Sequence, residues 1–119
     1  MRFDPPLQVF ERWAIGDDVT VAGTSIPREG KVAMLLGSAN RDPRRFDAPD
    51  EFRIDRGDQD HVTFGAGLHF CLGASLARLE LEVALGRLAS TFPDLSLEAD
   101  PVREEGFAIR GYRAVHLSR

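Results

Sequence analysis

The stretch FGAGLHFCLG, Phe64 to Gly73, holds the only cysteine of the chain together with three glycines and a histidine. Gly65, Gly67 and Gly73 free the backbone for positive φ and for close approach to a bulky, flat group. Cys71 falls where a helical pattern begins, and the free N–H groups and positive dipole end of a helix N-terminus favour an anionic sulfur there. An anionic sulfur is a metal ligand. The other ordinary use of a free cysteine is as a small buried hydrophobe, with the glycines doing no more than making a turn. A zinc site built from His61, His69 and Cys71 lacks the CxxC or HxxxH spacing that such sites use.

The chemistry open to this thiol is bounded by the rest of the chain. At 119 residues, 43% hydrophobic and 29% charged, the composition is that of one soluble globular domain. A single cysteine forms no internal disulfide, which fits a reducing compartment. The longest apolar run, VAMLLG, is far too short for a membrane span, and no basic stretch with an apolar core opens the chain. A cytoplasmic location and no membrane partner are therefore expected. The net charge is −4, and the arginines are scattered among acids rather than gathered in a stripe, so no nucleic-acid partner is expected.

The elements that must position the thiol read as an α+β arrangement. Turn clusters such as GDD, AGTSIPREG, NRDPRRFDAPDEF and DRGDQD separate short apolar pieces, of which VTVAG and KVAMLLG read as strands. Ser38 to His61 reads as a long irregular segment, a length that in a small domain usually serves a function. One strong helix is predicted over Ala74 to Thr91 and stopped by Pro93. LSL and YRAVHLS read as two further strands, forming a C-terminal β-hairpin. On a helical wheel, Ala77, Leu81, Ala84, Leu85, Leu88 and Phe92 share one side, and Leu72, Leu76, Leu79 and Val83 share roughly the opposite one. A helix with two apolar stripes is normally sandwiched inside something larger. No other long helical pattern can cover it, so the chain is expected to leave one apolar face bare, and so to oligomerise or stay loosely packed.

The string Phe64, Gly65, Gly67, His69, Cys71, Leu72, Gly73 resembles, in residue type and spacing, the haem-ligand loop of the cytochrome P450 family, the haem-thiolate monooxygenases. The resemblance runs along nearly the whole chain. RFDPPLQVFERWA is similar to the segment after the family's ExxR helix, VAGTSIPREGKVAMLLGSANRDP to the strand, turn and strand that lead to a short helix after it, and RRFDAPDEFRIDR to the meander. It implies five stretches: a strand-rich segment 1–37, a meander 38–62, the ligand loop 63–73, a core helix 74–91 and C-terminal strands 92–119.

The resemblance also implies roles. Cys71 is the proximal thiolate of haem b, with Phe64 shielding the sulfur and Gly67 and Gly73 letting loop and helix lie close to the porphyrin. Arg12 and His69 bind the haem propionates, for which a planar fork of donors and an imidazole are suited. Arg2 stands in the place of the ExxR arginine and Arg56 in that of the meander arginine, whose plain alternative is an exposed Arg among acids. His61 is a candidate loop cap, His116 alternates within a strand, and Val9, Phe10, Phe107 and Ile109 occupy positions that could face a substrate. The implied enzyme is a bacterial monooxygenase taking electrons from a ferredoxin-type partner and acting on a small organic substrate.

The ExxR glutamate would precede Met1, as would the helix that delivers protons to bound dioxygen. The expectation is thus a C-terminal part of the mainly α family fold. Two readings follow: the haem-binding portion of a monooxygenase, or a non-catalytic remnant that binds haem without turnover or binds none.

Overall fold

The computed structural model describes residues 1–57 and 60–119. These form two compact units, residues 1–63 with 106–109, and residues 64–105 with 110–119.

The first unit is built on a strand that sequence pattern alone does not disclose. β1 (Val9–Trp13) pairs antiparallel with β4 (Lys31–Leu35), in a register that sets Val9 against Leu35 and Trp13 against Lys31. Glu11 and Arg12 interrupt any apolar alternation in β1. Its stability comes from the ladder with β4, which Ala14 extends by donating its N–H to the Gly30 carbonyl at 2.9 Å. Between these strands lies a hairpin of β2 (Val19–Val21) and β3 (Thr24–Ile26). Its turn residues Ala22 and Gly23 both take positive φ, 47° and 80°, as a type I′ turn requires.

KVAMLLG, read as one strand, divides after Leu35: α1 (Leu36–Ala39) follows directly and buries Leu36. A short helix also opens the segment expected to be mostly irregular; thereafter, as far as residue 57, it runs through bends and turns, with Phe46 donating to the Asp42 carbonyl at 2.9 Å and Glu51 to that of Ala48 at 3.1 Å, and the part of that expectation at residues 58 and 59 lies outside the described residues. The interior of this unit mixes Ala14, Leu36, Phe46 and Pro5 with the polar Arg2, Asn40 and Thr63.

In the second unit α2 (Ala74–Thr91) is followed by four short strands, β5 (Ser96–Leu97), β6 (Val102–Arg103), β7 (Tyr112–Ala114) and β8 (Leu117–Ser118). YRAVHLS is thus two strands rather than one. β7 pairs with β6 through a bulged register at Val102 and Arg103, whereas β8 pairs with β5, so the change of partner breaks the run at Val115 and His116. Within α2 only Ala74 is buried. One apolar stripe was expected to remain bare. Both are exposed instead, Leu81, Leu85 and Leu88 on one and Leu72, Leu76, Leu79 and Val83 on the other, because among the described residues no strand of this unit packs extensively along the helix.

Candidate functional site

The ten residues from Phe64 to Gly73 close into a loop through their own backbone. Cys71 N–H donates to the Phe64 carbonyl at 2.8 Å, and a 3₁₀ turn over Gly67–His69 is closed by the Phe70 N–H on the Gly67 carbonyl at 3.0 Å. Gly65 and Gly67 have φ of +73° and +65°, the region that favours glycine. A side chain on Gly65 would also approach the His69 carbonyl to 3.4 Å, whereas Gly67 and its surroundings are open. The loop runs into α2 with Ala74 N–H on the Cys71 carbonyl at 3.2 Å and Ala77 N–H on that of Gly73 at 2.9 Å.

Phe64, half-buried, meets Phe70 edge to face with ring centroids 6.3 Å apart and carries the Arg78 guanidinium 4.8 Å above its ring. Cys71 is a free thiol on the surface. His69 is exposed, Leu68 and Leu72 are fully so, and Phe70 is half so.

This donor set has the character that haem asks for. One accessible sulfur is flanked by outward-facing apolar side chains at Leu68, Phe70 and Leu72, suited to a single metal–sulfur bond and a large flat apolar partner. Among the described residues, no three His, Cys, Asp or Glu gather as a chelating metal site would need, so nothing there adds to the zinc alternative. Gly73 is not crowded by the thiol, since a Cβ there would lie 4.0 Å from Sγ.

Phe64, Gly65, Gly67, His69, Cys71 and Gly73 therefore share one loop. Arg12 lies on β1 in the other unit, its guanidinium 3.9 Å from the Phe10 ring centroid and bonded to the Glu11 carbonyl at 3.0 Å. Among the described residues no carboxylate holds it in an ion pair. His61 accepts the Thr63 N–H at Nδ1, 3.3 Å away, just before the loop, and His116 lies between β7 and β8 rather than within a strand.

Arg56 departs from the exposed alternative. It is half-buried and donates to the carbonyls of Asp47 at 2.6 Å, Ala48 at 2.9 Å and Glu51 at 3.4 Å. Arg2, buried, donates to Asn40 O at 2.7 Å, Pro49 O at 3.0 Å and Glu51 O at 3.5 Å, with its guanidinium 5.0 Å from the Phe46 centroid. Burial lowers the Arg2 pKa, and the charges of Arg56, Arg41 and Arg53 lower it further, against a smaller opposing pull from Asp50. Asn40, the fully buried polar residue of this unit, is missed by sequence pattern. Its one signal is a polar residue between apolar Leu35–Leu36 and the turn RDP.

The cytochrome P450 family model matches residues 1–108. The chain is 43% identical over 117 residues to the cytochrome P450 CYP199A2 of Rhodopseudomonas palustris, an alignment covering 98% of this chain and 28% of that protein. It is 45% identical over 97 residues to the polyketide biosynthesis cytochrome P450 PksS of Bacillus subtilis, covering 82% of this chain and 24% of the relative. The crystal structure of Mycobacterium smegmatis CYP164A2 with econazole bound superposes with a TM-score of 0.94 at 43% identity, over 100% of this chain and 30% of that one. The fold is that of the cytochrome P450s, and the chain belongs to the cytochrome P450 family. It spans under a third of the length of these relatives. Members of the family carry haem through a cysteine thiolate. Among the described residues, no helix is long and apolar enough to cross a membrane.

Proposed function

We propose that the chain carries the haem-ligand part of a bacterial cytochrome P450 monooxygenase, with Cys71 Sγ as the iron ligand. The observation that carries this reading is the accessible thiol of Cys71 at the head of α2, with Leu68, Phe70 and Leu72 turned outward around it. Bound haem supplies the dioxygen chemistry. The residues of the chain bind and tune it. Phe64 shields the sulfur on the protein side, and backbone N–H groups after Cys71 donate to it. Arg12 and His69 hold the two propionates, and Gly67 and Gly73 admit the porphyrin edge. The complete activity takes electrons from a ferredoxin-type donor and inserts oxygen into a small organic substrate in the cytoplasm.

The test is reconstitution with haem b, reduction and addition of carbon monoxide. Wild type is expected to give the red-shifted Soret band of thiolate ligation, and Cys71→Ser to lose it. The same band in both proteins would sink the assignment. A second reading, haem held without turnover, is favoured by the exposure of both stripes of α2, since oxygen insertion depends on excluding water from the iron. It predicts that the ferrous protein oxidises in air by giving one electron to dioxygen, releasing superoxide that dismutates to peroxide, with no substrate oxidation.

A further inference from the structure

Asn40 has no exposed surface at all. Its Oδ1 accepts the Val62 backbone N–H at 2.8 Å, and its Nδ2 donates to Thr63 Oγ1 at 3.0 Å. The two bonds fix the amide orientation, because the reversed one would set an N–H group against the Val62 N–H. Thr63 Oγ1 in turn donates to the Met1 carbonyl at 3.3 Å, so the hydroxyl is used as both acceptor and donor. The backbone of Asn40 is held as firmly, its N–H on the Leu36 carbonyl at 3.0 Å and its carbonyl under Arg2 at 2.7 Å. One buried side chain thus ties α1 to Val62 and Thr63, and Thr63 is joined by a peptide bond to Phe64, whose carbonyl accepts the Cys71 N–H.

We infer that Asn40 is a positioning residue for the Cys71 loop, acting through Val62 and Thr63 on the point where the chain enters it. As an effect on the ligand this rests on the haem-thiolate reading; as an effect on the loop it does not.

The experiment compares wild type with Asn40→Ala, Thr63→Val and Thr63→Ser. Amide hydrogen exchange without haem is read at Val62 and Cys71, with Val32 and Ala33 of β4 as internal controls. Haem dissociation into an acceptor protein and the position of the reduced carbon-monoxide band are read after reconstitution. Asn40→Ala should speed exchange at Val62 and Cys71 roughly tenfold beyond any change in β4, and speed haem loss by a similar roughly tenfold factor. Thr63→Val should give part of both effects, and Thr63→Ser, which keeps the hydroxyl, should recover most of it. Should Asn40→Ala not fold, the Thr63 pair decides. Equal acceleration in β4, or wild-type exchange at Cys71 with wild-type haem loss, overturns the inference. If wild type itself gives no thiolate-type band, the haem reading fails, and the exchange arm alone still upholds or overturns Asn40 as the loop's anchor.

Discussion

The carbonyl oxygen of Glu51 accepts from both Arg2 and Arg56, at 3.5 and 3.4 Å. Between them the two guanidinium groups also reach Asn40, Asp47, Ala48 and Pro49, so the turns after α1 are held from their carbonyl side by cations. Bonds from a charged donor to partly buried carbonyls are among the stronger ones, and Arg2→Ala is expected to cost about 2–3 kcal/mol in chemical denaturation. Arg2→Lys should recover little of it, because one ammonium cannot span carbonyls that a planar fork reaches. Wild-type stability in Arg2→Ala would show that Arg56 alone suffices. Asp42 gives a second handle. Hydrogen bonds from the Arg44 side chain and backbone N–H bring its pKa from 3.8 down to about 2. A depressed carboxylate stabilises the folded state fully above its unfolded value, and that contribution is lost as pH falls from 3.8 through about 2. The carboxylate of Asp42 should therefore titrate by NMR with a midpoint near 2, and Asp42→Asn should flatten the acid limb of stability in that window. The effect is small because the pair is exposed.

At the scale of elements, what was legible is what local chemistry decides. The Ala74–Thr91 helix is written in its own periodicity and in Pro93, and β2 in VTV, whereas β3 lies inside AGTSIPREG, which reads as a turn cluster, and is fixed by its pairing with β2. β1 was not legible, since its pairing with β4 is made across the intervening hairpin and its sequence, VFERW, carries two charges. The split of YRAVHLS is likewise a matter of partners, β6 for one half and β5 for the other, and no residue in the run announces the change. For the loop around Cys71 the expected positive φ is found at Gly65 and Gly67 but not at Gly73, whose φ of −84° any residue adopts, and Asn40 could not be read as buried from neighbours that look like a turn. Two glycines separate backbone strain from steric clash. Gly23 has φ +80° with nothing within 4 Å of an added Cβ, so Gly23→Ala should cost only the left-handed penalty, about 1–2 kcal/mol. At Gly30 an added Cβ would lie 2.7 Å from the Pro27 carbonyl oxygen, to which the Gly30 N–H is itself bonded. Gly30→Ala should therefore lower the melting temperature more than Gly23→Ala, and the reverse order would mean that the β3–β4 turn yields easily.

Over the molecule as a whole, burial is unequal between the two units. The first keeps Arg2, Pro5, Ala14, Leu36, Asn40, Phe46 and Thr63 from solvent, whereas α2 keeps only Ala74. The two stripes of α2 were legible on a helical wheel. That neither is covered was not, because amphipathic periodicity reports which residues ask for a partner and says nothing of whether one is supplied. Leu79 and Leu85, one on each stripe, are 56% and 60% exposed. Contiguous apolar surface of this kind is rare on a monomer in solution and marks a face that associates. The chain alone is therefore expected to bind an apolar-surface dye and to gain mass with concentration in light scattering. Leu79→Glu and Leu85→Glu test the two stripes separately. Each places a charge where a side chain already meets water, so neither should lower stability by more than about 0.5 kcal/mol, while each should cut dye binding and association. If one variant abolishes association and the other leaves it untouched, a single stripe drives it. A monodisperse monomer that binds no dye would mean that both stripes are covered in solution, and the exposure of α2 would be wrong.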